Sequence, residues 1–123
     1  ILNRFPDSKY AKDSQQKIIL VKSNIAAKHM SIGRFYQENE KYIAALNRFK
    51  VVVNDLSVTK FTPEALHRMV EIYYKLGMKE EAINTAAVIG YNYPESEWYK
   101  HSYHLLGEKE KKLKLLDKVK NLF

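Results

Sequence analysis

Apolar and polar positions follow a helical pattern over an unusually long stretch near the start of the chain, from Ser8 to Asn39. The stretch contains no proline and one glycine, and its apolar side chains recur at intervals that place them on one face of an α-helix. One apolar strip consists of Ile18, Val21, Ile25, Ile32 and Tyr36, and a second strip beside it of Ile19, Ala26, Met30 and Gly33. We therefore expect a helix of roughly 45 Å. Because the helix has two apolar strips, we expect it to pack on two sides. We also expect the later helices to pack against its C-terminal half.

Turn residues divide the rest of the chain into shorter helical segments. The pattern predicts helices over about 41–55, 62–76, 79–92, 96–106 and 108–122, and a loop at 56–61. We expect Thr62 to cap the third helix and Pro63 to lie in its first turn, where the missing N–H group costs nothing. Gly77 should end that helix in the left-handed conformation, and Ser96 should cap the fifth. No segment shows the strict alternation of a strand, so the predicted fold class is all-α.

The middle of the chain repeats itself at an offset of 37 residues. His29, Ile32, Gly33, Tyr36, Ala45 and Phe49 correspond to Leu66, Met69, Val70, Tyr73, Ala82 and Ala86. This pattern is similar to the tetratricopeptide repeat (TPR), whose period is about 34, with the additional residues placed in the loop. Gly33, Ala45 and Ala82 would lie where paired helices approach closely. We expect a single TPR-like α-solenoid domain over 1–123, with repeat A at 26–61, repeat B at 63–96 and a cap at 97–123.

Composition and charge narrow the function classes. The chain has no cysteine, which excludes disulfides, thiolate zinc sites and cysteine nucleophiles. Its net charge of +7 suggests a nucleic acid or an acidic surface as partner. The excess lies at the two ends, however, and the lysines of the long helix fall at scattered angles rather than in one stripe. We therefore favour a solvated surface over nucleic-acid binding.

Candidate chemistry is sparse. The sequence contains no glycine-rich phosphate loop and no His-Glu-x-x-His motif, so we expect neither an enzyme nor a bound cofactor. His101 and His104 are three residues apart, but no acidic residue stands at a matching position, and we expect no metal site. The pair Trp98-Tyr99 is either a hydrophobic plug over repeat B or an exposed anchor for a partner; we favour the plug.

Several segments suggest a more specific relationship. They are Arg4-Phe5-Pro6-Asp7-Ser8-Lys9-Tyr10-Ala11, Tyr42-Ile43-Ala44-Ala45-Leu46-Asn47-Arg48, Glu64-Ala65-Leu66, Glu71-Ile72-Tyr73-Tyr74-Lys75-Leu76-Gly77 and Asn92-Tyr93-Pro94-Glu95-Ser96. In this order, and with the long first helix, they resemble the C-terminal half of the BamD (ComL) family. The members of that family are outer-membrane lipoproteins of the β-barrel assembly machinery. The resemblance covers about residues 2–106.

The resemblance implies a non-catalytic scaffold at the periplasmic face of the outer membrane. Family members are anchored by an N-terminal lipidated cysteine, which this sequence lacks, and we expect the chain to be a fragment of a longer one. In the family, the C-terminal repeats dock on the periplasmic POTRA domain of the barrel subunit BamA and on the small lipoprotein BamE. An Asn-Arg pair belongs to that docking region, and here it is Asn47-Arg48.

The register of the second helix agrees with a docking role. With Ala45, Phe49 and Val52 turned inward, the outer positions are expected to face away from the first helix. These positions are Asn47, Arg48, Val51 and Asp55. An exposed arginine can bind a partner's carboxylate through two hydrogen bonds, which favours it as an interface anchor.

A second candidate surface is the concave groove of the solenoid, which would suit a free-standing TPR adaptor that binds a peptide. By register the groove contains Arg34, Gln37, Glu38, His67, Glu71, Tyr74 and Lys75, beside Met30. Their mixed charges argue against a clamp for an acidic peptide tail. The last predicted helix carries Leu113, Leu116, Val119 and Phe123 on one face. It could cap the solenoid, or bind lipid or a partner as a basic amphipathic helix.

Overall fold

The computed structural model describes residues 9–107 and 119–120 of the chain, and these residues form an all-α fold without a strand, as predicted. Between residues 9 and 107 the helices are α1 (Lys9–Glu38), α2 (Tyr42–Asp55), α3 (Thr62–Lys75), α4 (Lys79–Asn92) and α5 (Glu97–Leu106). Their limits agree with the expected ones to within one or two residues. The predicted last helix lies outside the described residues, apart from the helical pair at 119–120.

The helices form two stacked hairpins. α1 packs on α2, α3 packs on α4, and α2 joins the two hairpins by packing on α3. α5 then packs across α3 and α4 at the end of the stack. The core lies between these helices, and its largest fully buried hydrophobic side chains are Phe49, Met30, Ile72, Ile89, Val52 and Val70. This arrangement is the TPR-like solenoid that the 37-residue offset predicts.

A glycine sets the distance between α1 and α2. Gly33 is buried, and a Cβ atom added to it would lie 2.6 Å from Cε1 of Phe49. The phenyl ring therefore occupies the space that any other side chain at this position would need. The predicted close approach of the paired helices at Gly33 is confirmed.

The two ends of α1 have different surroundings. Met30 and Ala26, in the C-terminal half, are fully buried, whereas Ile18, Val21 and Ile25 are 44%, 56% and 44% exposed. The expectation that α1 packs on two sides is therefore wrong for Ile18, Val21 and Ile25, although Ala11, nearer the start of the helix, is fully buried. No described helix, including α1, combines the length and the apolar character that a membrane crossing requires.

The same backbone turn ends the first helix of each hairpin. Glu40 and Gly77 both have positive φ, at 60° and 79°. In each turn the next N–H group reaches back to a tyrosine carbonyl: Lys41 N to Tyr36 O, and Met78 N to Tyr73 O, both at 2.8 Å. These are Schellman motifs. The 37-residue offset read from side chains therefore extends to the backbone, and the prediction for Gly77 is confirmed.

One predicted cap is wrong. The Thr62 hydroxyl donates backwards to the carbonyl oxygens of Ser57 and Thr59, at 3.0 and 3.3 Å, and no side chain caps the start of α3. The hydroxyl therefore stabilises the loop before α3 and does not cap the helix. Pro63 does lie in the first turn, and the Ser96 hydroxyl accepts a hydrogen bond from the Trp98 amide at 3.1 Å, as predicted.

Candidate protein-binding surfaces

The first candidate surface is the α2 flank, which we define as Asn47, Arg48, Val51 and Asp55. Asn47 and Asp55 are exposed as predicted. Val51 is half-buried and packs against the core, and Arg48 is half-buried with its Nη1 3.3 Å from Nδ1 of His29 on α1. The expectation that these side chains all face away from α1 is therefore wrong for Arg48, which lies alongside that helix.

Arg48 differs from the other arginines in the described part of the chain. Arg34 and Arg68 each form salt bridges with glutamates, whereas Arg48 has no carboxylate within reach among the described residues. Its one hydrogen-bond partner there is Nδ1 of the His29 imidazole. Because a guanidinium presents five N–H donors, most of its binding capacity is left for an external acceptor.

The second candidate surface is the groove between α1 and α3, where opposite charges pair with each other. Arg34 Nη1 lies 2.6 Å from Glu64 Oε2, and Gln37 Nε2 donates to Glu71 Oε1 at 3.1 Å. Arg68 bridges the two carboxylates, at 3.3 Å to Glu64 and 3.2 Å to Glu71. The two arginines and two glutamates between α1 and α3 therefore neutralise one another.

Glu71 is held in its charged form by this network. Burial alone raises the pKa of the Glu71 carboxyl, but hydrogen bonds from His67 and Gln37, together with the positive charges of His67 and Arg68, outweigh it. The result is a pKa of about 2, below the usual 4.5. Favourable contacts to the charged form thus dominate the desolvation of this carboxylate.

His67 does not lie on the groove surface. It is 5% exposed, with Nδ1 2.7 Å from the Ser102 hydroxyl of α5 and Nε2 3.5 Å from Glu71 Oε2. Its role is therefore to connect α3 with α5. Sequence reasoning missed Ser102, although it stands between Trp98 and Leu106 on one helix face. A small polar residue on an apolar face signals a buried hydrogen bond.

The aromatic residues of α5 pack onto the second hairpin. The Trp98 ring lies 5.5 Å from the His67 ring and 5.6 Å from that of His101, with the Arg68 guanidinium 5.6 Å from its centre. Tyr99 packs against Gly90, where an added Cβ would lie 2.7 Å from the ring. This packing supports the plug interpretation of Trp98 and Tyr99.

The two histidines of α5, His101 and His104, have aromatic neighbours. His104 lies beside Tyr103, with 6.1 Å between ring centres. His101 and His67 are 5.8 Å apart by the same measure. Within the part of the chain that the structure describes, no three potential metal ligands come together.

A cavity of about 370 Å³ opens at one end of the groove. Its lining residues are Gln37, Tyr42, Glu71, Tyr74, Lys75 and Leu105. Tyr74 and Lys75 are exposed here, as the groove prediction requires, and Glu38 is exposed as well. Sequence reasoning did not include Tyr42 and Leu105, because they come from α2 and α5 rather than from the first helix of a pair.

Comparison with known proteins decides the family. Residues 1–89 match the model of the YfiO family, described as an outer membrane lipoprotein. The chain belongs to this family. The resemblance drawn from the sequence segments is thereby confirmed, since curated relatives carry the name outer membrane protein assembly factor BamD.

The relatives of the YfiO family that this chain matches are considerably longer. The BamD of Rickettsia prowazekii is 45% identical over 106 residues, which cover 86% of this chain and 42% of the relative. The BamD of Caulobacter vibrioides is 44% identical over 108 residues, covering 88% and 35%. That of Neisseria meningitidis serogroup A is 31% identical over 103 residues, covering 84% and 39%. The chain thus spans roughly two fifths of the length of these relatives.

Proposed function

We propose that this chain is a non-catalytic scaffold region of an outer-membrane β-barrel assembly factor, located at the periplasmic face of the outer membrane. It docks on the periplasmic POTRA region of a BamA-like barrel subunit through the α2 flank. A BamE-like small lipoprotein is a second partner of the same C-terminal repeats. The names of the relatives, outer membrane protein assembly factor, support the assembly role.

One observation carries the docking site. Arg48 is the arginine that has no carboxylate partner within the described residues, and it lies between two exposed polar residues on the same helix, Asn47 and Asp55. Arginine is enriched among residues that contribute most to protein interfaces, and it binds carboxylates through two parallel hydrogen bonds. A partner carboxylate at this flank would complete the arginine's hydrogen bonding.

Replacing Arg48 by glutamate tests this proposal. Arg48→Glu should weaken binding of the POTRA region by about tenfold or more, because it places like charges together at the contact. The measurement is a calorimetric titration of the chain with the POTRA region, together with circular dichroism to establish that helicity is unchanged.

Lys50→Glu is the matched control, since Lys50 is an exposed cation on the same helix but points in a different direction from Arg48. It makes the same change of charge and should leave affinity within about twofold. Equal affinities for the two variants, or no binding by the unaltered chain, would defeat the proposal.

A peptide-binding adaptor that uses the groove is the second candidate function. The cavity walled by Tyr42, Tyr74 and Leu105 favours it, because apolar and aromatic walls suit a peptide side chain. The internal pairing of the groove charges leaves few polar groups to bind a peptide backbone, so we place it second. In the same titration, loss of binding by Tyr74→Ala with Arg48→Glu unaffected would favour the adaptor.

A further inference from the structure

Arg48 contacts His29, and the second repeat has a different residue at the position of this histidine. His29 on α1 is half-buried and faces the Arg48 guanidinium, with 3.3 Å between Nδ1 and Nη1. At an offset of 37 residues the corresponding position is Leu66, which is a core residue at 5% exposure. The position of Arg48 corresponds to Thr85, whose hydroxyl donates to the Glu81 carbonyl of its own helix. The histidine–arginine pair is thus a feature of repeat A alone.

The direction of the hydrogen bond follows from the chemistry of the pair. A guanidinium has donors and no acceptor, so Nδ1 of His29 must be the nitrogen without a proton. Holding the imidazole in this tautomer leaves Nε2 as its N–H. The bond uses Nη1 of Arg48 and leaves the edge formed by Nε and Nη2, the edge that pairs with a carboxylate through two hydrogen bonds.

We propose that His29 is a positioning residue for Arg48. By fixing Nη1 it restricts the long arginine side chain to a conformation in which the Nε–Nη2 edge is presented to the partner's carboxylate. Immobilising a flexible side chain opposes association, and a side chain already ordered in the free protein avoids that loss. This inference rests on the proposed docking role of Arg48 and adds a determinant of affinity on the neighbouring helix.

The second repeat provides the substitution that tests it. His29→Leu introduces the residue that repeat B has at this position, so the packing of the hairpin should accept it. It removes the acceptor and should weaken binding of the POTRA region by about three- to tenfold, the size expected for coupled neighbours. His29→Gln retains an acceptor oxygen and should stay within about twofold of the unaltered chain. Thermal unfolding measured on both variants separates these effects from a loss of structure.

A double-mutant cycle with Arg48→Gln distinguishes positioning from direct contact. In the Arg48→Gln background, His29→Leu should cause no further loss of affinity, because there is no guanidinium left to hold. In the free chain, the imidazole ¹⁵N shifts of His29 should indicate an unprotonated Nδ1, and Arg48→Gln should shift the balance of tautomers.

Each other outcome is decisive. If Arg48→Gln weakens binding while His29→Leu does not, or if His29→Leu weakens it equally in both backgrounds, the positioning role is wrong and the docking role of Arg48 stands. If Arg48→Gln binds as well as the unaltered chain, the docking site itself is wrong and the positioning role fails with it.

Discussion

At the scale of single residues, the turns between paired helices show how one backbone shape is built from different amino acids. Glu40 and Gly77 occupy equivalent positions, and both adopt positive φ, so that their own N–H group and that of the next residue bond to carbonyl oxygens at the end of the helix. The left-handed conformation brings the Cβ of an L-residue close to the following carbonyl oxygen, whereas glycine has no Cβ. Glu40 is therefore a strained residue that the surrounding hydrogen bonds hold in place.

This strain predicts that Glu40→Gly stabilises the protein. The expected increase in the free energy of unfolding is about 0.5–1 kcal/mol, since the relief of strain exceeds the entropy that glycine adds to the unfolded chain. Gly77→Ala is the reciprocal control and should reduce stability by about 1 kcal/mol. Urea denaturation of both variants measures the effect, and a loss of stability in Glu40→Gly would contradict the explanation.

At the scale of the elements, α1 is one continuous helix with two environments. Its C-terminal half buries Met30 completely between neighbouring helices, and its N-terminal half leaves Ile18 and Val21 about half exposed. Burial against other helices provides most of the stability of a protein helix, while exposed apolar side chains contribute little. The C-terminal half of α1 therefore stabilises the hairpin, whereas the stretch that contains Ile18 and Val21 contributes little to it.

Truncation of one side chain in each half tests this division. Met30→Ala should lower the free energy of unfolding by about 2–5 kcal/mol, because it leaves a cavity in the core. Ile18→Ala should change it by less than about 0.5 kcal/mol, because nearly half of this residue is already exposed to water and it lies outside the core. The measurement is thermal or urea unfolding of this chain. Similar losses for the two variants would show that the exposed half is also packed.

At the scale of the whole molecule, polar side chains link three helices that are distant in sequence. Gln37 of α1 and His67 of α3 both contact Glu71, and His67 continues to Ser102 of α5. The low pKa of the Glu71 carboxyl, about 2, means that its charged form is preferentially stabilised in the folded state. The network therefore contributes stability that depends on pH.

The sign of this dependence follows from linkage. A carboxyl with a depressed folded pKa stabilises the protein above its unfolded pKa and loses that contribution as pH falls through the folded value. The difference in unfolding free energy between the unaltered chain and Glu71→Gln should therefore shrink as pH falls from about 4.5 to about 2. Glu38→Gln, at an exposed carboxylate of α1, is the control and should show a smaller change. If the difference in unfolding free energy between the unaltered chain and Glu71→Gln stayed constant over this pH range, the Glu71 carboxylate would make no pH-dependent contribution to stability.

The sequence alone determined where the helices begin and end, and how they repeat. The spacing of apolar residues predicts a helix from neighbouring positions alone. The same is true of the helix ends, which are signalled by Gly77, Pro63 and Ser96. The need for a small residue at Gly33 followed from the repeat, and the family followed from short segments in a fixed order. The wrong cap at Thr62 shows the limit of local reading, because its hydroxyl donates to carbonyl oxygens of the preceding loop instead of accepting from the N–H groups of the helix.

Only the tertiary structure decided which polar side chains meet. Arg48 contacts His29 across 19 residues of sequence, Arg34 contacts Glu64 across 30, and His67 contacts Ser102 across 35. Periodicity assigns a residue to a face of its own helix, whereas its partner depends on the angle and offset at which a second helix packs. The packing of whole faces sets those two quantities. That is why the helix positions of the α2 flank could be predicted from sequence, while the contact between its arginine and His29 could not.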